Sequence, residues 1–227
     1  MKVIYKILIA IVTVVGMAVL NIAMIAGLII LQQFVLIPKE YLIWVINPPT
    51  DPLIFPIMGL ADFYIIAKVS GYLRLFKHPI PVPLSGLFSK HKLVSILLLV
   101  VVFYIVFPNA TSFTEDSITY RTFYNPLGTE YSYNDVHSVD VGVYGESKLF
   151  GQSEGEYFYV VTFNDGTTVD LTRSGGENTD DTYSMLEYID VKLMDLGVEK
   201  ESSLDHINLL TLDQYYIDRY VRIIVNK

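Results

Sequence analysis

The sequence contains no cysteine, a single tryptophan and, before residue 109, only three acids, Glu40, Asp51 and Asp62. The first absence excludes disulfides, thiol nucleophiles and cysteine-based metal sites, and it fits either side of a bacterial membrane. His-Glu-x-x-His is also missing, which removes one common signature of hydrolytic chemistry, and the one Gly-x-Ser-x-Gly match, Gly151 to Gly155, falls in a polar stretch that reads as a hairpin tip and lacks the strand-to-helix setting of a nucleophile elbow. The scarcity of acid belongs to a wider asymmetry. Residues 1–108 hold eight Lys/Arg against three Asp/Glu, a net of +5; residues 109–227 hold eight against 21, a net of −13; together they make the formal −8. A strongly acidic half argues against nucleic acid as a partner, because phosphate binding needs a basic surface.

What is abundant is apolar sequence. Just over half of the 227 residues are hydrophobic, and the mean hydropathy is +0.42. The run from Val3 to Ile37 exceeds the ~20 helical residues that a bilayer core requires. It is also too long for a cleaved signal peptide, whose apolar stretch runs to about 7–15 residues, so we expect it to be retained. A second run, Leu53 to Tyr72, follows the chain-breaking "NPPTDP", with Pro56 expected in its first turn. A third, Leu93 to Phe107, is short alone, and its helix is expected to begin near Ser89. The sequence thus predicts a membrane region over residues 1–108, with spans at about 5–31, 53–73 and 90–107, and an acidic domain over 109–227. Tyr41 and Trp44 read as aromatic anchors at the lipid–water interface.

Orientation follows from the basic residues. The segment after the first run carries Lys39 alone, whereas the segment after the second carries Arg74, Lys77, Lys90 and Lys92. Basic segments stay in the cytoplasm. The expected arrangement is therefore a multi-pass cell-membrane protein with a cytoplasmic N-terminus and an extracellular C-terminal domain.

After Pro108 the pattern changes to strands. Ile118, Tyr120, Thr122 and Tyr124 alternate with Thr119, Arg121 and Phe123 ahead of the turn "NPLG". Val139, Val141 and Val143 keep a period of two. Tyr157 to Leu171 reads as a hairpin about Asp165-Gly166, a dipeptide suited to a type I′ turn. "RSGGEN" reads as a break. Leu186, Ile189, Leu193 and Leu196 then share a helical face, with Thr179 or Asp180 as cap and Gly197 as terminator. The tail reads as a helix or as a short strand from Tyr220 to Val225. These short strands and the amphipathic helix predict an α+β domain, a small curved antiparallel sheet or barrel closed by a helix.

The segment from Phe113, with "YNDVHSV" at Tyr133–Val139 and "YFYVVTFNDGTTVDL" after it, resembles the bacterial pleckstrin-homology-like domains found beside membrane spans. The resemblance covers about half of the chain. It implies a PH-like fold and a scaffold or interaction role, and no ligand: the basic head-group pocket of eukaryotic relatives has no counterpart here.

The chemistry-bearing candidates are few. Asp62 lies mid-span, where a charge costs at least ~2.5 kcal/mol, so an intramembrane acid is a functional candidate. It reads either as a proton or cation site or ion-pair partner, or as a neutral acid hydrogen-bonded within the helices. Lys68, six residues on, points about 240° away. Asn21 is a candidate for a hydrogen bond between helices. Gln32 and Gln33 are expected at the interface. His137, between Asp135 and Asp140, and His206, beside Asp205, read as surface or capping residues. Glu177, Asp180 and Asp181 lack EF-hand spacing and read as carboxylates at a helix start. Twelve of the 17 tyrosines follow residue 108. Most read as half-buried sheet residues; a contact face, if there is one, is expected at Tyr144, Phe150, Tyr157 and Tyr159. The sequence predicts no catalytic site, metal or cofactor. Its first functional reading is a non-enzymatic membrane protein whose domain binds a protein partner in assembly, sensing or immunity. A transporter or channel subunit using Asp62 is the second, and an enzyme using acids such as Asp135 or Asp165 the third.

Overall fold

The computed structural model describes residues 2–73, 92–147, 152–177 and 181–226. The expected helix start near Ser89, the caps Thr179 and Asp180, and Phe150 lie outside the described residues. The chain divides into two compact units: Met1–Leu31 with Pro52–Phe107, and Gln32–Asp51 with Pro108–Lys227.

The first unit is helical. Helix α1, Lys2–Leu36, has 35 residues, and its Ile4–Leu36 stretch has a mean hydropathy of 2.6. Helix α2, Thr50–Leu73, has 24 residues, with Pro52–Ser70 at 1.6. Both are long and apolar enough to cross a membrane. Helix α3, Lys92–Val106, has 15 residues and rises only about 22 Å, short of a ~30 Å core. The described residues therefore give two span-length helices where the sequence predicts three. Helix α2 also begins earlier than expected. Pro52 takes its first turn, and Pro56 falls in the second, where it removes the donor that would bond the Pro52 carbonyl.

The second unit contains a strand that the sequence does not reveal. Between α1 and α2, Tyr41–Ile46 forms strand β1. It pairs antiparallel with β2, Ala110–Thr114, and with β8, Ser174–Glu177. With β3, Ile118–Tyr120, and β4, Thr129–Tyr131, these make a five-stranded sheet in the order β4-β3-β2-β1-β8. The boundary at residue 109 thus misses a segment. "YLIWVI" is β-branched and aromatic, and alternation divides it between two faces. Ile43 and Val45 enter the main core. Trp44 takes the opposite face and is fully buried, which corrects its reading as a lipid-interface anchor. Its indole lies over β8, where a Cβ on Gly175 would come within 2.4 Å of the ring. The "SGGE" within "RSGGEN", Ser174–Glu177, is accordingly a strand: its glycines leave space for the tryptophan. Tyr41 is likewise held inside this unit, where Gln33 Nε2 donates to its hydroxyl at 2.8 Å.

A polar clasp joins the ends of β1 and β2. The Asn47 side chain donates to Thr111 Oγ1 at 2.8 Å and to the Arg121 carbonyl at 3.0 Å. Asn109 donates to Thr50 Oγ1 at 3.1 Å and accepts from the Phe123 amide at 2.9 Å. These groups are buried, so the bonds satisfy backbone and side-chain atoms that water does not reach.

The second sheet runs β7-β6-β5-β9. Its strands are β5, Val136–Val143; β6, Tyr157–Phe163; β7, Thr168–Asp170; and β9, Glu199–Ser202, which is parallel to β5. Val139, Val141 and Val143 are all buried, as their spacing requires. Among the described residues, the strands form two separate sheets, and no pairing closes them into one barrel. The β6–β7 turn carries a positive φ at Gly166 only, and both Phe163 N to Thr167 O and Gly166 N to Phe163 O are bonded. That is a turn followed by a glycine bulge instead of the expected type I′ turn.

Two helices complete the core. Helix α4, Thr182–Asp195, is capped by Asp181, whose side chain accepts from the Tyr183 amide. It ends at Gly197 (φ +75°), with Val198 N bonded to Leu193 O and Gly197 N to Met194 O, the Schellman pattern. Leu186, Ile189 and Leu193 are buried, whereas Leu196, at the cap, is 46% exposed. The tail forms helix α5, Gln214–Val225, resolving its ambiguity in favour of helix.

Candidate functional site

Within the helical unit, one contact stands out chemically. Asn21 Nδ2 donates to Asp62 Oδ2 at 2.8 Å. Both residues lie near the middle of their helices, about 22 Å from the end of α1 and about 18 Å from the start of α2 at 1.5 Å per residue. The remaining oxygen of each side chain, Asn21 Oδ1 and Asp62 Oδ1, is buried and has no hydrogen-bond partner. Lys68 instead lies over the Tyr64 ring, 5.5 Å from its centroid.

The second unit buries a carboxylate quite differently. Asp190, 1% exposed on α4, accepts from the Tyr159 hydroxyl at 2.9 Å and from Lys200 Nζ at 2.5 Å, both on Oδ1, while Asn226 donates to Oδ2 at 2.7 Å. Lys200 Nζ also donates to the Ile223 carbonyl at 2.5 Å. Burial pulls the Lys200 ammonium below its usual range, opposed by Asp190. The cluster ties β6, α4, β9 and α5 together. The cluster does not stand out in the sequence, although a signal is present: Asp190 directly follows Ile189 on the apolar face of α4, and Lys200 alternates with Glu199 and Glu201.

This cluster also corrects the expected tyrosine face. Tyr159 is fully buried, because the odd positions of β6 point inward. Desolvation, followed by the charge of Asp190, drives its hydroxyl well above the ordinary tyrosine range. Tyr157 sits at the core rim against the rings of Tyr220 and Tyr183, with centroids 4.9 and 5.7 Å away. Tyr144 does face outward and is half-buried. Its ring packs at 4.5 Å on Phe158, which lies over its cross-strand partner Gly142, where a Cβ would meet the ring at 3.0 Å. Phe158 is the outward ring that sequence reasoning missed; its even position on β6 is the signal.

A second aromatic row links Tyr183 to Tyr216 at 5.2 Å and Tyr216 to Tyr215 at 5.3 Å. Tyr215 is 61% exposed. Beside this row, Arg219 is bound to Asp181, Ser184 and Glu187.

The acids singled out for chemistry serve local turns. Asp135 Oδ2 accepts from the Ser132 amide at 2.7 Å and its hydroxyl at 2.9 Å. Asp165 accepts from the Tyr131 hydroxyl at 2.6 Å and the Thr167 amide at 2.9 Å, and the Tyr131 bond in particular holds its carboxyl below the usual range. Glu177 accepts from Thr182 at 2.6 Å. His206, at φ +65°, lies against Gly145. Among the described residues, no three His, Asp or Glu side chains group as a metal site. Comparison with family models, with curated proteins and with solved structures finds no match.

Proposed function

We propose that this chain is a non-enzymatic integral membrane protein that holds an acidic, PH-like domain at the membrane surface to engage a protein partner. The observation that carries the reading is the position of β1. A strand lying between two span-length apolar helices pairs with strands that follow the third helix. Pairing partners must lie on one side of a bilayer, so α2 and the return through α3 cross together. With α1 this supports a reading of three crossings, and the basic residues at 74–92 favour a domain on the outside. Two covalent attachments then hold the domain to the membrane, an arrangement suited to presenting a fixed surface. Its net charge favours a basic partner, and the outward Tyr144–Phe158 pair is the proposed contact face.

Two measurements test this. A cysteine at Ser153 should react with an impermeant maleimide in intact cells, and one at Ser85 should not; the reverse pattern rejects the orientation. Photo-crosslinking from Tyr144 should yield a discrete adduct that is lost on Phe158→Ala. Monomeric protein throughout would reject the contact face. A second reading, a transport or channel subunit, is favoured by the Asn21–Asp62 contact at mid-helix depth.

A further inference from the structure

One loop of the second unit is apolar and exposed. Between β3 and β4, residues 121–128 read "RTFYNPLG". Tyr124 is 86% exposed and Leu127 is 89% exposed; outside α1–α3, no other large apolar side chain among the described residues exceeds the 61% of Tyr215. The Phe123 ring lies against Tyr124, with centroids 3.8 Å apart. The turn is held by its own backbone: Asn125 N bonds Thr122 O, Thr122 N bonds Asn125 O, and Gly128 N bonds Asn125 O. Two exposed apolar side chains are thus presented on a built turn. A single exposed apolar residue is ordinary, so the placement of this pair decides what it means.

Register puts Ile46, Ala110, Tyr120 and Thr129 along one end of the five-stranded sheet. At that end the chain passes from β1 to α2 through Asn47–Pro49, and from α3 to β2 through Phe107–Asn109. The loop is fastened to both connections. Phe123 N donates to Asn109 Oδ1 at 2.9 Å, and Asn109 Nδ2 donates at 3.1 Å to Oγ1 of Thr50, the first residue of α2. Asn47 Nδ2 donates to the Arg121 carbonyl at 3.0 Å. Tyr124 therefore follows directly on a hydrogen-bonded path to the start of a span-length apolar helix. The charges agree with this. No acid lies between Ser117 and Thr129, although the half beyond residue 108 has 21, and Arg121 is the one charge of the stretch. Among the described residues, Arg121 makes no ion pair. Glu115 and Asp116 fall in the β2–β3 turn, at the opposite end of the strands. An acidic domain is repelled by a layer of phosphates, and an acid-free tip with one cation is the part that can approach it.

We propose that the β3–β4 loop is a lipid-contact tip, with Tyr124 and Leu127 entering the interfacial layer of the bilayer that α2 and α3 cross. The proposal rests on those helices lying in lipid, and it is independent of the Tyr144–Phe158 face and of any partner met there. The ligand is the phospholipid interface, its phosphates and the upper part of its acyl chains. Tyrosine suits that layer, because its ring is apolar and its hydroxyl stays wet. A protein occupant is a poorer match: two side chains fall far short of the ~20–30 residues a side of a stable protein interface. The tip adds a non-covalent hold to the two covalent attachments of the domain.

The test places a nitroxide label on the full chain in phosphatidylcholine vesicles, at Asn125→Cys beside the pair or at Asp116→Cys at the far end of the strands. With no native cysteine, each label is unique. Power saturation compares collisions with oxygen, which concentrates in lipid, and with a water-soluble nickel chelate. The label at position 125 should meet oxygen several-fold more than the chelate, and the label at position 116 the reverse. Tyr124→Ser with Leu127→Ser should return the first label to water. Both labelled positions are exposed, and unchanged emission from the buried Trp44 confirms the fold of each variant. Equal chelate collisions at the two positions overturn the proposal. So does a label at position 125 shielded from both reagents, which assigns the tip to a protein contact, and so does a double serine variant whose label stays in lipid. Chain that alkaline washing strips from the vesicles overturns the membrane reading itself, a failure distinct from the others.

Discussion

Two carboxylates, one in each unit, show two ways of keeping an acid oxygen out of water. Asp190 is surrounded by donors: a lysine, a tyrosine and an asparagine cover both of its oxygens. Asp62 has one donor and an oxygen to spare. The first arrangement is closed and leaves nothing for a ligand. Its strength lies in the elements it joins, because removing one partner of a buried pair strands the other charge. The second is incomplete, with one oxygen of each partner left without a hydrogen bond. Burial of an ionisable group is therefore no guide to function by itself; the count of donors against acceptors is.

The sharpest challenge to this contrast is Asp190→Leu. It strands Lys200 and should cost about 3–5 kcal/mol, while Asp190→Leu with Lys200→Met should recover most of that loss. Denaturant unfolding of the full chain in detergent, followed by Trp44 fluorescence, checks both; Trp44 is the sole tryptophan and is buried in the same unit. A double variant as unstable as the single one breaks the comparison.

The next effect concerns pH. The Tyr159 and Tyr220 hydroxyls are raised above 10.0, chiefly by burial. A raised acid favours the protonated fold, so stability is full below pH 10 and falls as pH climbs beyond it. The slope should be about 1.4 kcal/mol per pH unit for each such tyrosine. A cooperative step in tyrosinate absorbance should coincide with loss of the circular dichroism signal.

A smaller effect is expected at a partly exposed carboxylate that serves as control. Asp181→Ala removes the α4 cap and one Arg219 partner and should cost about 1 kcal/mol, with Asp181→Asn retaining most of the cap. The smallest is expected at the helix pair. Asp62→Asn keeps a side chain able to bond Asn21 and should change helix association by only about 0.6 kcal/mol, as measured by unfolding in bicelles. A loss as large as that of Asp190→Leu would make Asp62 a structural group like its counterpart and erase the distinction.

The elements legible in the sequence are those whose signal is local. Val139, Val141 and Val143 show their strand by alternation, Gly197 marks the end of α4, and Asp62 stands out as an acid in an apolar run. What the sequence conceals depends on distant chain. β1 reads as more membrane-flanking apolar sequence, because the β2 and β8 strands that give it a role lie more than 60 and about 130 residues away. β8 reads as a break, because glycine disfavours strands; the reason for glycine there is an indole from the far end of the sequence. Tyr159 was misplaced because alternation says that a strand has two faces without saying which is which. Asn21 was legible as a polar residue, but not as the partner of Asp62.

The central place of β1 in its sheet also bears on how the protein is made. Some 130 residues separate Trp44 from Gly176, its neighbour on β8. At about 5–20 residues per second, the ribosome needs roughly 7–26 s to supply the second after the first. During that interval the strand waits with open edges beside a helical hairpin that, on the proposed reading, is entering lipid. On that reading, biogenesis is ordered: insertion comes first, and the domain closes only around a strand already delivered.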